Sequence, residues 1–142
     1  MAQNKLKILA GLGNPGRQFQ QHRHNVGYWL IDELIQTHQL VKKERPGYDY
    51  YPWQHDHGVT YLFRAHSYMN DSGIALQQIM HYFKIPVEDV LLAYDEMDFE
   101  PGVVRVKRKG GAGGHNGVKS VIQHVGPAIM RLRLGVGRPL EP

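Results

Sequence analysis

Strand-like and helix-like segments alternate along the whole chain, and this alternation limits the possible folds more than any other feature of the sequence. Residues 5–10 and 90–94 form short apolar runs of the kind found in buried strands. Residues 25–40 carry apolar side chains at helical spacing. Such an order is typical of the α/β class, in which helices flank a mixed, twisted sheet. The 142 residues suffice for one core, so we predict a single α/β domain over residues 1–142.

Further segments complete this prediction. The additional strands cover residues 48–54, 59–64, 103–107 and 130–136, and the additional helices begin at Asp71 or Ser72 and at Val118. Residues 42–47 are polar and are predicted to form a loop. The apolar faces of the first two helices carry Val26, Trp29, Leu30 and Leu34, and Ile74, Leu76, Ile79, Met80 and Phe83. We expect these faces to pack against the sheet.

Charge and composition narrow the possible partners. The formal net charge is +4 and the pI is about 9.4, and a basic excess suggests an anionic partner such as nucleic acid. The absence of cysteine rules out disulfides and thiolate metal sites, as is common in cytoplasmic proteins. No apolar run approaches the roughly 20 residues that span a bilayer, and the first residues do not resemble a signal peptide. We therefore expect a cytoplasmic protein with no membrane partner.

A glycine-rich turn follows the first predicted strand. Residues 11–16 match the pattern G-x-G-x-x-G, which in dinucleotide-binding proteins cradles a pyrophosphate. Pro15 removes a backbone N–H from the turn, and no helix follows directly, so the context argues against an NAD(P)-dependent oxidoreductase. The alternative is a tight turn whose glycines adopt positive φ. Asn14 is then a polar amide held at the edge of the sheet where ligands of α/β proteins bind.

His24 and Asp95 are candidates for proton transfer. A histidine titrates close to neutral pH and suits general-base catalysis, and a carboxylate bonded to its second ring nitrogen selects the tautomer. Asp95 ends the predicted strand over residues 90–94. His22 and His24, or His55 and His57, have the spacing of metal ligands but lack an evident third ligand, so no metal is predicted.

A second glycine-rich segment, residues 110–117, contains five glycines in eight residues. Its backbone can approach a ligand closely, although a flexible connection has the same composition. Arg105 and Lys107 precede it on one face of a predicted strand, and Arg131 and Arg133 share a face of the last strand. These four cations are expected near one crevice, where they could hold phosphates.

Five motifs, in order and at the right spacing, resemble the bacterial peptidyl-tRNA hydrolase family over nearly the whole chain. They are Gly11-Leu12-Gly13-Asn14-Pro15-Gly16, Arg23-His24-Asn25, Tyr68-Met69-Asn70-Asp71-Ser72-Gly73, Tyr94-Asp95-Glu96-Met97-Asp98 and Gly113-Gly114-His115-Asn116-Gly117. The resemblance implies hydrolysis of the ester between peptide and tRNA, without metal or cofactor. It also implies peptidyl-tRNA as the partner of a monomer that needs no obligate protein partner.

The resemblance assigns roles to individual residues. His24 matches the family's catalytic histidine, and Asp95 matches the carboxylate that orients it. The residues implied to bind the substrate are Asn14, Phe19, Tyr68, Asn70, His115 and Asn116. Because of their clustering beside the second glycine-rich segment, Arg105, Lys107 and Arg133 are predicted to contact tRNA phosphates.

The chain departs from the family at its C-terminus. Relatives continue for several tens of residues beyond the equivalent of residues 135–139, and this segment supplies a lid, further tRNA contacts and a helix on the sheet. We therefore expect a peptidyl-tRNA hydrolase-like domain that lacks this lid and helix, as a fragment or a degenerate copy. Tyr68 replaces a phenylalanine that is common in the family. A module that binds peptidyl-tRNA or another RNA without cutting it remains the second interpretation.

Overall fold

The structure is a computed structural model that describes residues 6–13, 25–66, 71–108 and 110–137. Its strands are β1 (Ile8–Gly11), β2 (Lys43–Arg45), β3 (Tyr48–His55), β4 (Gly58–Ala65), β5 (Val90–Glu96), β6 (Val104–Lys107) and β7 (Met130–Gly135). Its α-helices are α1 (Val26–His38), α2 (Ser72–Phe83) and α3 (Asn116–Val125). The order of the described elements confirms the predicted interleaving of strands and helices.

All seven described strands form one mixed sheet in the order β2-β3-β4-β1-β5-β7-β6. The four central strands, β4, β1, β5 and β7, run parallel to one another. The outer strands β2, β3 and β6 are antiparallel to their neighbours. The carboxyl ends of the four central strands therefore meet at one edge of the sheet, which is the edge where α/β proteins bind ligands.

Helices cover both faces of this sheet. Helix α1 packs on one face, where Ile31 contacts a cluster that includes Leu9 and Leu62. Helices α2 and α3 pack on the other face and on each other, and their buried Leu76 and Val121 belong to the larger core cluster. The alternation of buried side chains along the central strands supplies both clusters. Among the described residues, no helix is long and apolar enough to cross a membrane.

The glycines of the first turn permit a close approach between α1 and the sheet. A Cβ at Gly11 would lie 2.4 Å from the carbonyl oxygen of Gly27. A Cβ at Gly27 would lie 2.6 Å from the carbonyl oxygens of both Leu12 and Ala93. Neither Gly11 nor Gly13 has a positive φ, so the predicted conformational role of these two glycines is wrong. Their small size, rather than their conformational freedom, lets α1 begin directly over β1 and β5.

Three local predictions need correction. The predicted loop over residues 42–47 contains β2, which pairs with β3 around a turn at Pro46-Gly47, and the positive φ of Gly47 suits that turn. Helix α3 begins at Asn116, two residues earlier than predicted. Trp29 and Ile74 are predicted on buried helix faces, but they are 40% and 45% exposed. The buried faces of α1 and α2 instead contain Gly27 and Gly73, which allow these helices to pack closely on the rest of the domain.

Candidate active site

Asp95 is buried at the carboxyl end of β5, and only 4% of its surface is exposed. Strand β5 continues to Glu96, so Asp95 lies within the sheet rather than in the turn that follows. Alternation along the strand places Asp95 on the same face as Ala93, the face that α1 covers. A buried carboxylate is costly unless it is hydrogen-bonded, so its partners define the chemistry of this edge of the sheet.

One partner of Asp95 is His115, whose Nε2 lies 2.7 Å from Oδ1 of the carboxylate. His115 is the N-cap residue of α3, and its Nδ1 accepts hydrogen bonds from the backbone N–H groups of Gly117 (3.1 Å) and Val118 (3.3 Å). Because Nδ1 is an acceptor, the proton of a neutral ring resides on Nε2 and is donated to Asp95. The ring packs edge-on against Tyr94, with 5.0 Å between ring centroids. His115 thus ties the start of α3 to the end of β5.

The sequence predicted Asp95 as the partner of His24 and gave His115 a place in the substrate crevice. His24 lies outside the described residues, as do Asn14, Phe19, Tyr68 and Asn70. The pairing of His24 with Asp95 therefore stays a prediction, and a carboxylate has enough lone pairs to accept from two histidines. The capping bond of His115 was missed because histidine is not among the residues that usually cap helices.

Some described residues are sequence neighbours of the predicted site residues His24 and Asn70, and Asn116 is itself described. Asn25, which directly follows His24 in the sequence, is 3% exposed, and its Oδ1 lies 3.0 Å from a Cβ built on Gly13. Helix α2, which follows Asn70 and Asp71, begins against α3, where the backbone N–H of Gly73 donates to Oγ of Ser120 at 3.0 Å. Asn116 is the exposed first residue of α3. The starts of α1 and α3 therefore adjoin β5, and the start of α2 adjoins α3.

The predicted cations do lie together, on the α3 face of the sheet. Arg105 of β6 is paired directly with Arg133 of β7, and Lys107 with Arg131. Like charges directly opposite one another are destabilising, so such a pair is suited to an anion that bridges it. The ring of Phe99 lies beneath both guanidinium groups of the first pair, at 5.5 Å from Arg105 and 4.8 Å from Arg133.

Glu96 and Tyr94 lie next to these cations, and of these two residues Glu96 alone changes the local charge. Glu96 Oε1 lies 3.6 Å from a terminal nitrogen of Arg133 and neutralises part of its charge. Tyr94 is the parallel-strand neighbour of Arg133. Burial raises the pKa of Tyr94 above its usual value, and the guanidinium groups of Arg131 and Arg133 oppose this rise. Tyr94 therefore remains a neutral phenol at physiological pH, and leaves the cationic character of the cluster unchanged.

Arg131 differs from the other three cations, and its predicted place among phosphate-binding groups is wrong. Its side chain is fully buried. Its terminal nitrogens donate to the carbonyl oxygens of Gly111 (2.7 Å), Gly110 (2.6 Å) and Pro127 (2.9 Å). The terminal nitrogens of the guanidinium are therefore occupied by backbone groups, and the predicted tRNA phosphate contacts stay Arg105, Lys107 and Arg133.

Potential metal ligands occur elsewhere. Among the described residues, Glu44, Asp49 and His66 form one group whose ligand atoms lie within 4.8 Å of one another. Two of these residues are exposed, and Nε2 of His66 is hydrogen-bonded to Asp49 at 2.7 Å. The group lies at the β2–β3 side of the sheet, whereas Asp95 lies on β5. Both ring nitrogens of His55 are engaged with neighbours in its own hairpin.

Known proteins match both the sequence and the fold. A family model for peptidyl-tRNA hydrolase matches residues 8–142. The chain is 44% identical over 136 residues to a peptidyl-tRNA hydrolase from Oceanobacillus iheyensis, covering 94% of this chain and 73% of that relative. It is 44% identical over 139 residues to one from an Exiguobacterium species, covering 96% and 75%. A crystal structure of peptidyl-tRNA hydrolase from Acinetobacter baumannii aligns with a TM-score of 0.91 at 34% identity, covering 99% of this chain and 73% of that one.

Proposed function

Because the chain belongs to the peptidyl-tRNA hydrolase family, we propose that it hydrolyses the ester bond between peptide and tRNA in peptidyl-tRNA. The observation that carries this proposal is the buried pair of Asp95 and His115 at the carboxyl edge of the sheet, beside a cluster of cations. The reaction returns free tRNA and a peptide carboxylate. It serves translation by recycling tRNA from chains that were released prematurely.

The chemistry requires one activated water. His24 acts as the general base: it removes a proton from water as the water oxygen attacks the ester carbonyl carbon. The ester C–O bond then breaks, and the proton passes to the alkoxide oxygen of the departing tRNA. Asp95 orients His24 and stabilises the imidazolium that forms, in the manner of a carboxylate in a hydrolytic triad. No metal or cofactor takes part in these steps.

Amide side chains supply the remaining polar contacts. Asn116 is exposed at the first turn of α3, where its amide can donate to the developing oxyanion. Asn14 and Asn70 bind the peptide backbone or the terminal adenosine, and Phe19 and Tyr68 line the same crevice. Amides read a peptide backbone without regard to side chains, which suits an enzyme that must accept many peptides.

The tRNA is held through its phosphates by Arg105, Lys107 and Arg133. Such contacts position the substrate without reading its sequence. The cross-strand pair of Arg105 and Arg133 offers two guanidinium groups on one face of the sheet. Lys107 lies on the same face, two residues further along β6.

The protein acts in the cytoplasm as a monomer, with peptidyl-tRNA as its partner and no obligate protein partner. Its basic charge supports a nucleic-acid partner.

The direct test is release of peptide from a defined peptidyl-tRNA by the purified chain, compared with His24→Ala. We expect kcat to fall at least about 10²-fold in the variant, with little change in affinity for tRNA. His57→Ala, in the exposed turn of the β3–β4 hairpin, is the matched control and keeps full activity. Equal turnover by His24→Ala and the wild type would refute the assignment of the base. Tight tRNA binding without turnover by the wild type would favour the binding module instead.

A further inference from the structure

We propose that Arg131 is a positioning residue that holds the glycine loop, defined as residues 110–114, in the conformation that the reaction needs. This inference rests on the proposed function and adds a residue that touches no substrate. Arg131 is fully buried, and among the described residues it has no carboxylate partner within ion-pairing distance. A buried cation is rare in proteins unless most of its donors are satisfied. Here three backbone carbonyls accept hydrogen bonds from the terminal nitrogens, while Nε has no hydrogen-bond partner among the described residues.

The carbonyls that Arg131 binds are at the start of the glycine loop. Arg131 reaches Gly110 and Gly111 from one side and Pro127, which follows α3, from the other. The guanidinium therefore clamps the loop to the segment that leads into β7. Its planar fork directs the N–H groups toward separate acceptors, an arrangement that lysine cannot reproduce.

The loop has little else to hold its first residues. Gly110, Gly113 and Gly114 have φ values of 130°, 60° and 83°, conformations that favour glycine. Glycine also loses the most conformational entropy when it is ordered, and it has no side chain to contribute contacts. A fixed point from outside the loop is therefore needed, and Arg131 provides two hydrogen bonds at that place.

Both ends of the loop carry residues of the proposed machinery. At one end, a Cβ built on Gly110 would lie 2.7 Å from Cε of Lys107, so the position of Gly110 limits the position of that lysine. At the other end, the backbone N–H of His115 donates to the carbonyl of Ala112 at 3.1 Å. A shift of the loop would therefore move a phosphate contact and the partner of Asp95 together. A misplacement of about 1 Å can cost up to about 10²-fold in rate.

The test compares wild type with Arg131→Lys and Arg131→Gln. The first variant keeps the charge and loses the fork, while the second removes the buried charge and keeps two N–H donors. Arg45→Lys is the matched control, because Arg45 lies on β2 and stacks on Tyr82, away from the loop. Hydrogen–deuterium exchange of the backbone is measured along the chain, together with kcat and the salt dependence of tRNA affinity.

We expect faster exchange over residues 110–117 in both variants, with unchanged protection of β3 and β4, and a kcat about 10- to 10²-fold lower. The slope of log affinity against log salt should flatten by no more than the roughly 0.7–0.9 expected for one lost contact, since Lys107 is the proposed phosphate contact that adjoins Gly110. Faster exchange along the whole chain, with an unchanged kcat per folded molecule, would overturn the proposal. Wild-type exchange and kcat in both variants would also overturn it, as would failure of both variants to fold. If the wild type itself lacks hydrolase activity, the proposed function fails, while the exchange measurement still decides whether Arg131 holds the loop.

Discussion

The imidazole of His115 donates through Nε2 to the carboxylate of Asp95 over 2.7 Å, while its Nδ1 caps helix α3. The same ring therefore fixes the orientation of a buried acid and the start of a helix. Its two tasks depend on opposite ring nitrogens, so substitutions can separate them. A residue that caps α3 but is too short to reach Asp95 keeps the helix cap and removes only the hydrogen bond to Asp95.

His115→Asn is such a substitution, since asparagine is a strong N-cap residue. We expect it to keep a melting temperature close to wild type while kcat falls, because Asp95 loses a donor that holds it in place. His115→Ala should lose the cap as well and be less stable by about 1 kcal/mol. Thermal unfolding and peptide-release kinetics check both. Equal kcat for His115→Asn and wild type would show that His115 does not act through Asp95.

Salt dependence tests the cations on β6 and β7. Replacing Lys107 or Arg133 by methionine should weaken tRNA binding and flatten the slope of log affinity against log salt by roughly 0.7–0.9 per contact removed. Lys43→Met, on the opposite edge strand β2, should leave the slope unchanged. Filter binding across a range of KCl concentrations gives the slopes. A slope that does not respond to either cation would remove these residues from the tRNA interface.

Gly27→Ala tests the close contact between α1 and the sheet. The new Cβ would lie 2.6 Å from two carbonyl oxygens and 2.7 Å from the backbone nitrogen of Leu12, and backbone atoms cannot rotate away. We expect a loss of about 1–3 kcal/mol in the free energy of unfolding, as in other overpacked sites. Gly111→Ala has open space around its Cβ and should be nearly neutral. Urea titration measures both, and similar stabilities would contradict the contact.

Stability at high pH should depend on Tyr28. Burial raises the pKa of Tyr28 to about 12, and its hydroxyl donates to the carbonyl of Ala65 at 2.9 Å. Because the folded-state pKa exceeds the unfolded value of 10.0, the contribution is complete below pH 10 and is lost as pH rises toward 12. Tyr28→Phe should be about 1 kcal/mol less stable near pH 8. By pH 11 the wild type should lose roughly 1.4 kcal/mol relative to Tyr28→Phe, so the gap closes and the variant becomes slightly more stable. A gap that is constant with pH would contradict the burial of this phenol.

In the part of the chain that the structure describes, the α1 face of the sheet is incompletely covered near β6. Val104 and Val106 are 55% and 58% exposed, and their partners Leu134 and Leu132 on β7 are only partly buried. We propose that a C-terminal segment like that of longer relatives covers this apolar face, because the chain spans about three quarters of their length. Each Å² of apolar surface that stays exposed to water lacks about 25 cal/mol of the stabilisation that burial would give.

Appending a relative's C-terminal segment should therefore raise the melting temperature. It should also lower KM, because the family resemblance implies that this segment forms a lid over the crevice. The chain without it should hydrolyse peptidyl-tRNA weakly and tend to self-associate. Calorimetry, kinetics and sedimentation compare the two chains. Equal melting temperatures and equal kcat/KM would show that the segment is dispensable.

Sequence patterns predicted the fold class and most elements, because apolar periodicity and turn residues are local signals. They missed β2, since its three exposed charged residues resemble a loop and only the Pro46-Gly47 turn signals a hairpin. The sequence also grouped Arg131 with the phosphate-binding cations. Its burial depends on the path of the glycine loop, which is a tertiary property. The same reason hid the bond between His115 and Asp95, which are 20 positions apart, whereas the roles of His24, Asn14 and Asn70 stay predictions.

The place of β7 between β5 and β6 has a consequence for the order of folding. Strand β6 is paired with β7 alone, although it precedes β7 by more than 20 residues. During synthesis β6 and the glycine loop therefore leave the ribosome before the strand that anchors them has emerged. The central strands β1, β4 and β5 can pair earlier, since all three precede β6. The edge that carries the proposed tRNA contacts is thus the last part of the sheet to assemble. A nascent chain that stalls before Met130 holds its proposed general base, but its Arg105 and Lys107 are unanchored and Arg133 is still missing.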